Sequence, residues 1–329
     1  MSATRIREEP NTNIKQENGG ADNNNNIKIE DNQPKVSNEV DNSNLETNID
    51  SWLFSEKSFL ESSPSRQVLK LTIPQELKER DSSHQFIIQI GSKLKLDSRT
   101  ILAASIYINR VFMRIPIKKS SKQFVACAAI ALACKLHDTY RTPAKIALEA
   151  AIVASPGRVV DEQSQVFWMF RDQLLYREEV ILKTLNFDLN IELPYNIRDD
   201  LIKESAPDNS IYYSKKQEIL RQTTTLIELL SSLPIFVIYD TYTVFGMALI
   251  LIIIEARSKF ETPDLKLPKN YLRIKLQVDA NLCYQCFEFI QKLLKYCDSD
   301  PKAISNKSAK KRIRPVSFSV FKDAANEED

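Results

Sequence analysis

Apolar residues recur at helical spacing from residue 52 to about residue 297, with polar residues at the positions between them. This pattern predicts nine amphipathic helices, at residues 81–95, 97–113, 122–137, 143–153, 162–185, 195–204, 214–231, 241–257 and 278–297. Alternation with period two is rare, although residues 234–240, PIFVIYD, fit a strand as well as a helix. Because the chain also has only 5 glycines, an all-β fold is disfavoured and an all-α fold is predicted.

Two of the predicted helices are apolar on nearly every side. They contain residues 124–136, FVACAAIALACKL, and residues 244–256, VFGMALILIIIEA. A helix without a polar face is surrounded by other helices, so each is expected at the centre of a bundle. Since amphipathic helices precede and follow both, we predict a duplicated helical module, with one copy at residues 51–190 and the other at residues 191–297.

The two ends of the chain differ from this pattern. Residues 1–50 contain no aromatic residue and 12 asparagines, so they cannot bury enough apolar area to offset the entropy of ordering them. We therefore predict a disordered leader, and a second disordered, polar tail at residues 298–329. The leader contains IKQE and IKIE, which resemble SUMO acceptor sites and predict Lys15 and Lys28 as acceptors, although such short patterns also arise by chance.

The polar tail contains one compact basic run. Its cationic side chains are Lys310, Lys311, Arg312 and Arg314. A short basic run predicts a nuclear localisation signal, and a solvated cluster of charge is the alternative interpretation. We therefore expect a nuclear protein.

Composition disfavours several kinds of catalytic or metal site. The glycines are too scattered for a phosphate-binding loop, and the only histidines, His84 and His137, have no companion motif for a catalytic triad or a metal. Cys283 and Cys286 form a lone C-x-x-C without the second pair that a zinc ribbon needs, so two small core residues one helical turn apart are the simpler interpretation. We expect no metal and no cofactor.

Charge and hydropathy also narrow the choice of partners. The formal net charge of +2 does not indicate the strongly basic surface that is typical of direct nucleic-acid binding. The longest apolar run, residues 244–254, has 11 residues, whereas about 20 are needed to cross a bilayer. This run therefore predicts a buried helix rather than a membrane partner. The sequence also begins without the apolar segment of a signal peptide, and an odd number of cysteines suits a reducing compartment.

Two charged residues interrupt apolar helix faces. Glu178 lies in the middle of an apolar stripe that consists of Leu174, Leu175, Ile181, Leu182 and Leu185. Lys135 similarly follows small and apolar neighbours on the alanine-rich helix, where it could extend its ammonium group to solvent from the helix end. The alternative is that the two charges pair at the surface of two packed helices, since one buried charge without a partner costs on the order of several kcal/mol. Because no nucleophile or metal ligand accompanies them, we interpret the pair as part of a recognition surface.

The segments around these two charges resemble a known family. Residues 124–143, FVACAAIALACKLHDTYRTP, are similar to the third helix of a cyclin box, and residues 178–195, EEVILKTLNFDLNIELPY, are similar to the fifth helix and its exit. The resemblance implies that Lys135 and Glu178 contact a protein kinase, with Phe187 adding apolar contact. It implies two tandem cyclin boxes at the predicted modules.

Three further segments resemble the transcriptional cyclins of the T and K types. They are residues 52–66, residues 104–114, in which Asn109 replaces the usual histidine, and residues 159–182, which are most similar to fungal cyclins that partner Bur-type and P-TEFb-type kinases. The resemblance extends from residue 52 to about residue 195 and is weaker beyond it.

The chain departs from the family pattern at two points. His137 and Asp138 stand where two glutamates usually follow the kinase-contacting lysine, so part of the interface is expected to differ. The chain also has no Met-Arg-Ala-Ile-Leu-like patch of the kind that cell-cycle cyclins use to bind substrates, which favours a role in transcription.

The resemblance implies a regulatory subunit with no catalytic residues of its own. It would bind and activate a transcription-elongation cyclin-dependent kinase that phosphorylates the C-terminal domain of RNA polymerase II, so that its link to the polymerase is indirect. The cyclin of the separate fungal polymerase C-terminal-domain kinase complex is the main alternative. A TFIIB-like DNA-binding factor is disfavoured, because residues 1–50 contain no cysteine for a zinc ribbon.

Overall fold

The computed structural model describes residues 52–205, 210–298 and 312–327. Within these three segments the chain forms helices, turns and loops and no strand, which confirms the prediction of an all-α fold. Residues 50–329 make up one compact unit. The predictions for residues 1–50, including those for Lys15 and Lys28, lie outside the described residues.

The described residues form twelve α-helices in chain order. They are α1 (Glu56–Ser62), α2 (Pro64–Leu69), α3 (Ile73–Leu94), α4 (Ser98–Val111), α5 (Lys122–Leu136), α6 (Pro143–Ala154), α7 (Gln165–Thr184), α8 (Pro194–Lys203), α9 (Ile211–Leu230), α10 (Thr241–Lys259), α11 (Ala280–Asp298) and α12 (Phe318–Ala325). A 3₁₀ turn at Pro234–Val237 shows that the ambiguous segment is not a strand, and a π-helical turn follows at Leu272–Leu276.

All nine helices predicted from periodicity are present, as α3 to α11, but α3 begins eight residues before its predicted start. Thr72 and Gln75 form a reciprocal capping box there. The first turns of α3 carry the charged residues Glu76 and Arg80. Both side chains are fully buried, and Arg80 donates hydrogen bonds to Glu76 Oε1 at 3.1 and 3.0 Å.

The buried Glu76–Arg80 ion pair ties the start of the described chain to α4. Glu76 Oε2 also accepts hydrogen bonds from Arg66, at 2.9 Å, and from Ser63. Arg80 donates to Asn109 Oδ1 at 2.9 Å, so the residue that departs from the usual histidine takes part in this network. Each charge has several partners, as burial requires.

Helix α5 lies at the centre of the first hydrophobic cluster. It packs against α3, α4, α6 and α7, and every side chain from residue 125 to residue 134 is buried. The alanine-rich composition allows these neighbouring helices to approach closely. This arrangement confirms the prediction of a central helix without a polar face.

Helix α10 has the corresponding place in the second cluster. It packs against α8, α9, α11 and α12. By length and composition α10 could span a membrane, but 67% of its most apolar window is buried inside the protein, as in a core helix. The two clusters separate mainly near residue 190, although residues from α1, α3 and α4 contribute to the second, and the boundary between two modules stays a prediction.

The predicted disordered tail is wrong for residues 312–327. Helix α12 packs on α10 and α11, and Phe321 is fully buried against the rings of Tyr284 and Phe287. Main-chain hydrogen bonds join the same segment to the loop before α11, from Leu267 N to Ala324 O at 3.0 Å. Because the few apolar residues of this segment are interspersed with polar ones, its composition predicts a polar tail rather than a packed helix.

His84 lies where the two hydrophobic clusters meet. Its Nδ1 is 2.8 Å from Ser105 Oγ on α4, and its Nε2 is 3.3 Å from Ser231 Oγ after α9. Burial lowers the pKa of His84 from 6.5 to about 4, because the charged imidazolium loses its hydration. The folded protein therefore holds a neutral imidazole in a polar contact between the clusters.

We expect His84 to make the stability of the protein sensitive to acid. Since the pKa of His84 is lower in the folded than in the unfolded chain, its contribution is present above pH 6.5 and is lost as the pH falls toward 4. The loss amounts to about 3 kcal/mol over this range. The free energy of unfolding of wild type and His84→Gln, measured between pH 7.5 and 4.5, should diverge in slope, whereas parallel curves would contradict the assignment.

Candidate functional site

The structure brings Lys135 and Glu178 together. Lys135 lies in the last turn of α5, Glu178 lies in the second half of α7, and the two helices pack against each other. Lys135 Nζ donates to both carboxylate oxygens of Glu178, at 2.9 Å each. The two predicted site residues therefore form the surface ion pair that the sequence suggested as one of two alternatives.

The two partners of this ion pair differ in their exposure. The Glu178 side chain is 10% exposed, whereas that of Lys135 is 45% exposed. Beneath the pair, burial raises the pKa of the Cys127 thiol and the charge of Glu178 raises it further, so the thiol stays neutral. A half-exposed ion pair contributes only about 0–1 kcal/mol to stability, because solvent screens it. The ammonium group is thus held in place yet open to a carboxylate of another protein.

Large apolar side chains flank the ion pair on both helices. Leu136 is 50% exposed and Leu175 is 60% exposed. Leu175 was predicted to share the buried stripe of α7, and this was wrong: Leu174, Ile181 and Leu185 are fully buried, whereas Leu175 faces solvent one turn before Glu178. Successive helical residues point about 100° apart, so Leu175 can face solvent while Leu174 lies in the core.

Phe187 extends this apolar surface beyond the end of α7. Its side chain is 69% exposed, and its backbone φ of 59° is left-handed, as is that of Asn186 at 51°. Phe187 N donates to Leu182 O at 2.8 Å and Asn186 N donates to Lys183 O at 3.1 Å, which ends the helix in a tight C-terminal turn. A bulky residue in the left-handed region is strained, and here the strain presents an aromatic ring to solvent.

Further exposed aromatic and apolar residues lie along α7. Trp168, Met169 and Tyr176 each expose about half of their surface, and the Arg171 guanidinium lies 4.8 Å from the centre of the Trp168 ring. The exposure of these residues was not predicted from the sequence. Helical periodicity indicated only that a buried face exists, and could not show that large apolar side chains also stand on the opposite face.

The remaining predicted sites are only partly within the described residues. Lys310 and Lys311 lie outside them, Arg312 pairs with Glu255 at 2.8 Å, and Arg314 is exposed.

Cys283 and Cys286 are buried free thiols one turn apart in α11, as expected for core residues. Among residues 52–205, 210–298 and 312–327, no group of three or more His, Cys, Asp or Glu side chains could hold a metal ion.

Comparison with protein families identifies the segment that carries this surface. Residues 50–190 match the family described as "Cyclin, N-terminal domain". This segment includes α1 to α7 and every residue of the surface around Lys135 and Glu178. The surface around Lys135 and Glu178 therefore lies in the part of the chain that is similar to this family.

The relatives in sequence are cyclins. The chain is 36% identical to Cyclin pch1 of Schizosaccharomyces pombe over 141 residues, which are 42% of this chain and 41% of that protein. It is 31% identical to Cyclin-T1-2 of Arabidopsis thaliana over 159 residues, which are 46% of this chain and 33% of that protein. The chain thus matches less than half the length of these relatives.

Solved structures show that the likeness in fold extends beyond the matched segment. A chain in the crystal structure of the yeast RNA Pol II CTD kinase CTDK-1 complex aligns over 82% of this chain and 83% of its own, with a TM-score of 0.55 and 14% identity. A chain in the yeast TFIIK (Kin28/Ccl1/Tfb3) complex aligns over 75% of this chain and 96% of its own, with a TM-score of 0.50 and 16% identity. These alignments include helices of both hydrophobic clusters and support the cyclin fold.

Proposed function

We propose that the chain is a cyclin regulatory subunit that binds and activates a transcription-elongation cyclin-dependent kinase of the Bur or P-TEFb type. The observation that carries the proposal is the Lys135–Glu178 ion pair, which lies on the same two helices as exposed apolar side chains, in the segment that matches the cyclin family. The kinase would phosphorylate the C-terminal domain of RNA polymerase II, and this chain would supply no catalytic residue.

The proposed mechanism is a shift in the population of kinase conformations. A kinase transfers phosphate only when its own Lys–Glu ion pair and its metal-binding aspartate are in place. A rigid surface that binds only the active placement of a kinase helix favours that state. To change the active fraction from 1:99 to 99:1 requires about 10⁴-fold preferential binding, or about 5.5 kcal/mol. Binding free energy of this size can come from a few dominant interface residues within an apolar patch from which water is excluded.

Affinity purification of the tagged full chain, followed by mass spectrometry, tests this proposal. The expected result is one co-purifying cyclin-dependent kinase of the Bur or P-TEFb type. Recovery of the separate polymerase C-terminal-domain kinase would keep the mechanism and change the partner. Recovery of promoter DNA without any kinase would reject the proposal in favour of a DNA-binding factor.

Substitution of Phe187 should separate stability from kinase binding. Phe187→Gly removes the left-handed strain and is expected to raise the free energy of unfolding by about 1 kcal/mol, while the loss of an exposed ring weakens kinase binding. Denaturant titration and a binding titration against the purified kinase measure the two effects.

Asn186→Gly is the matched control for Phe187→Gly, because it relieves backbone strain at the adjacent left-handed position and keeps the aromatic ring. It should leave kinase affinity unchanged. Equal affinities for Phe187→Gly and wild type would show that the ring lies outside the interface.

The basic run is proposed to direct the chain to the nucleus. Lys310→Ala with Lys311→Ala is expected to lower nuclear accumulation of the fluorescently tagged chain, while the Arg312–Glu255 contact stays intact. Alanine substitution of Lys118 and Lys119, an exposed lysine pair elsewhere in the chain, is the control and should leave accumulation unchanged. Full nuclear accumulation of the first variant would refute the assignment.

A further inference from the structure

The segment that leads into α12 has an ordered pattern of charge. Residues 312–318 have the sequence RIRPVSF, which places Arg312 and Arg314 five and three residues before Ser317, with an aromatic residue directly after it. Protein kinases select substrates through charge patterns of this kind. An arginine-directed kinase pairs such guanidinium groups with its own carboxylates, for which arginine is better suited than lysine.

The backbone around Ser317 suits recognition of an extended substrate. Residues 313–317 are outside any helix, and Ser317 itself is extended, with φ −72° and ψ 151°. The side chains of Ser317, Arg314 and Phe318 are exposed. Both arginines precede the serine, so the residues that a kinase would recognise lie before the helix rather than within it.

Three contacts hold the same segment on the second hydrophobic cluster. Arg312 Nη2 lies 2.8 Å from Glu255 Oε2 on α10, Ile313 is buried, and Tyr284 Oη donates to Val316 O at 3.2 Å. A kinase that binds Arg312 must first break its ion pair with Glu255. The docked state therefore competes with recognition of Arg312, although Ser317 itself is exposed.

We propose that Ser317 is a phosphorylation site for an arginine-directed protein kinase, and that undocking of residues 312–316 limits its modification. The γ-phosphoryl group of ATP forms a bond to Ser317 Oγ, the bond from that phosphorus to the bridging oxygen breaks, ADP leaves, and the hydroxyl proton passes to the base of the kinase. The phosphate then adds about −1.5 to −2 charge three residues after Arg314, the last cation of the basic run. This inference does not depend on the proposed cyclin function.

Ser319 provides a control within the same segment. It is exposed like Ser317 and its hydroxyl lies 3.0 Å from that of Ser317, but no arginine stands three residues before it. A kinase that merely finds an accessible hydroxyl would modify both serines. A kinase that recognises the arginines would modify Ser317 alone.

The experiment uses the full chain, ATP and the catalytic domain of an arginine-directed kinase of the AGC class, with the phosphate mapped by mass spectrometry. We expect phosphate on Ser317, an initial rate lowered about tenfold or more by Arg314→Ala, and an unchanged rate for Ser319→Ala. Glu255→Gln should raise the rate, because it frees Arg312. Thermal unfolding curves confirm that these surface variants remain folded.

Three results would overturn the inference. If Ser317→Ala were phosphorylated at the wild-type rate, or if Ser319 received phosphate as fast as Ser317, the motif would not specify the site. An unchanged rate for Glu255→Gln would refute control by the docked segment.

Discussion

Glu178→Ala is expected to lower the affinity for the kinase about 30-fold or more, which corresponds to the loss of a dominant interface contact of about 2 kcal/mol. The substitution leaves Lys135 without its carboxylate partner at the centre of the exposed apolar surface. The free energy of unfolding should change by less than about 1 kcal/mol, since the lysine is half exposed and solvent can replace the lost contact. Titration of the purified kinase with each variant measures the affinity.

Glu179→Ala is the control for that experiment. Glu179 is the next residue of α7, is exposed, and pairs with Lys183 on the same helix. The Glu179→Ala substitution removes one carboxylate from the same helix but leaves the contact between Lys135 and Glu178 in place. Kinase affinity should therefore stay close to that of wild type. Equal affinities for Glu178→Ala and Glu179→Ala would mean that the interface lies elsewhere on the molecule.

Phe321→Ala is expected to lower the free energy of unfolding by about 3–5 kcal/mol, the usual cost of removing a buried phenyl ring. The ring is fully buried and lies 5.9 Å from that of Phe287, so its loss leaves a cavity between α12 and α11. An effect of this size in a segment with tail-like composition would show that α12 is part of the folded unit. Chemical denaturation monitored by circular dichroism measures it.

Val320→Ala is the control for the docking of α12. Val320 precedes Phe321 on the same helix and is 42% exposed, so its truncation should cost about 0.5 kcal/mol or less. If Phe321→Ala were as mild as Val320→Ala, α12 would not be packed on the second cluster in solution.

The helical architecture follows from the sequence because apolar periodicity marks each buried face. The pattern located α3 to α11, and the absence of a polar face in α5 and α10 correctly placed both in the core. What periodicity cannot detect is a charged residue that is buried with its partner. The first two turns of α3 were missed for this reason, since Glu76 and Arg80 satisfy each other inside the protein.

The candidate site was predictable in its charges and only partly in its surroundings. An isolated Glu178 and an isolated Lys135 on apolar helix faces each called for a partner, and the structure pairs them. The exposure of Leu175 depends on the rotation of α7 about its own axis, and the left-handed backbone of Phe187 depends on how that helix ends. A single sequence specifies neither. The docking of α12 likewise depends on a surface formed by α10 and α11.

The central claim is that the surface around Lys135 and Glu178 activates a kinase. The most direct measurement is the rate at which the kinase, purified free of this chain, phosphorylates a peptide of the polymerase C-terminal domain, alone and with added wild-type, Glu178→Ala or Glu179→Ala chain. Strong activation by wild type and Glu179→Ala, with little activation by Glu178→Ala at the same concentration, is the predicted result. Equal activation by all three chains would contradict the claim.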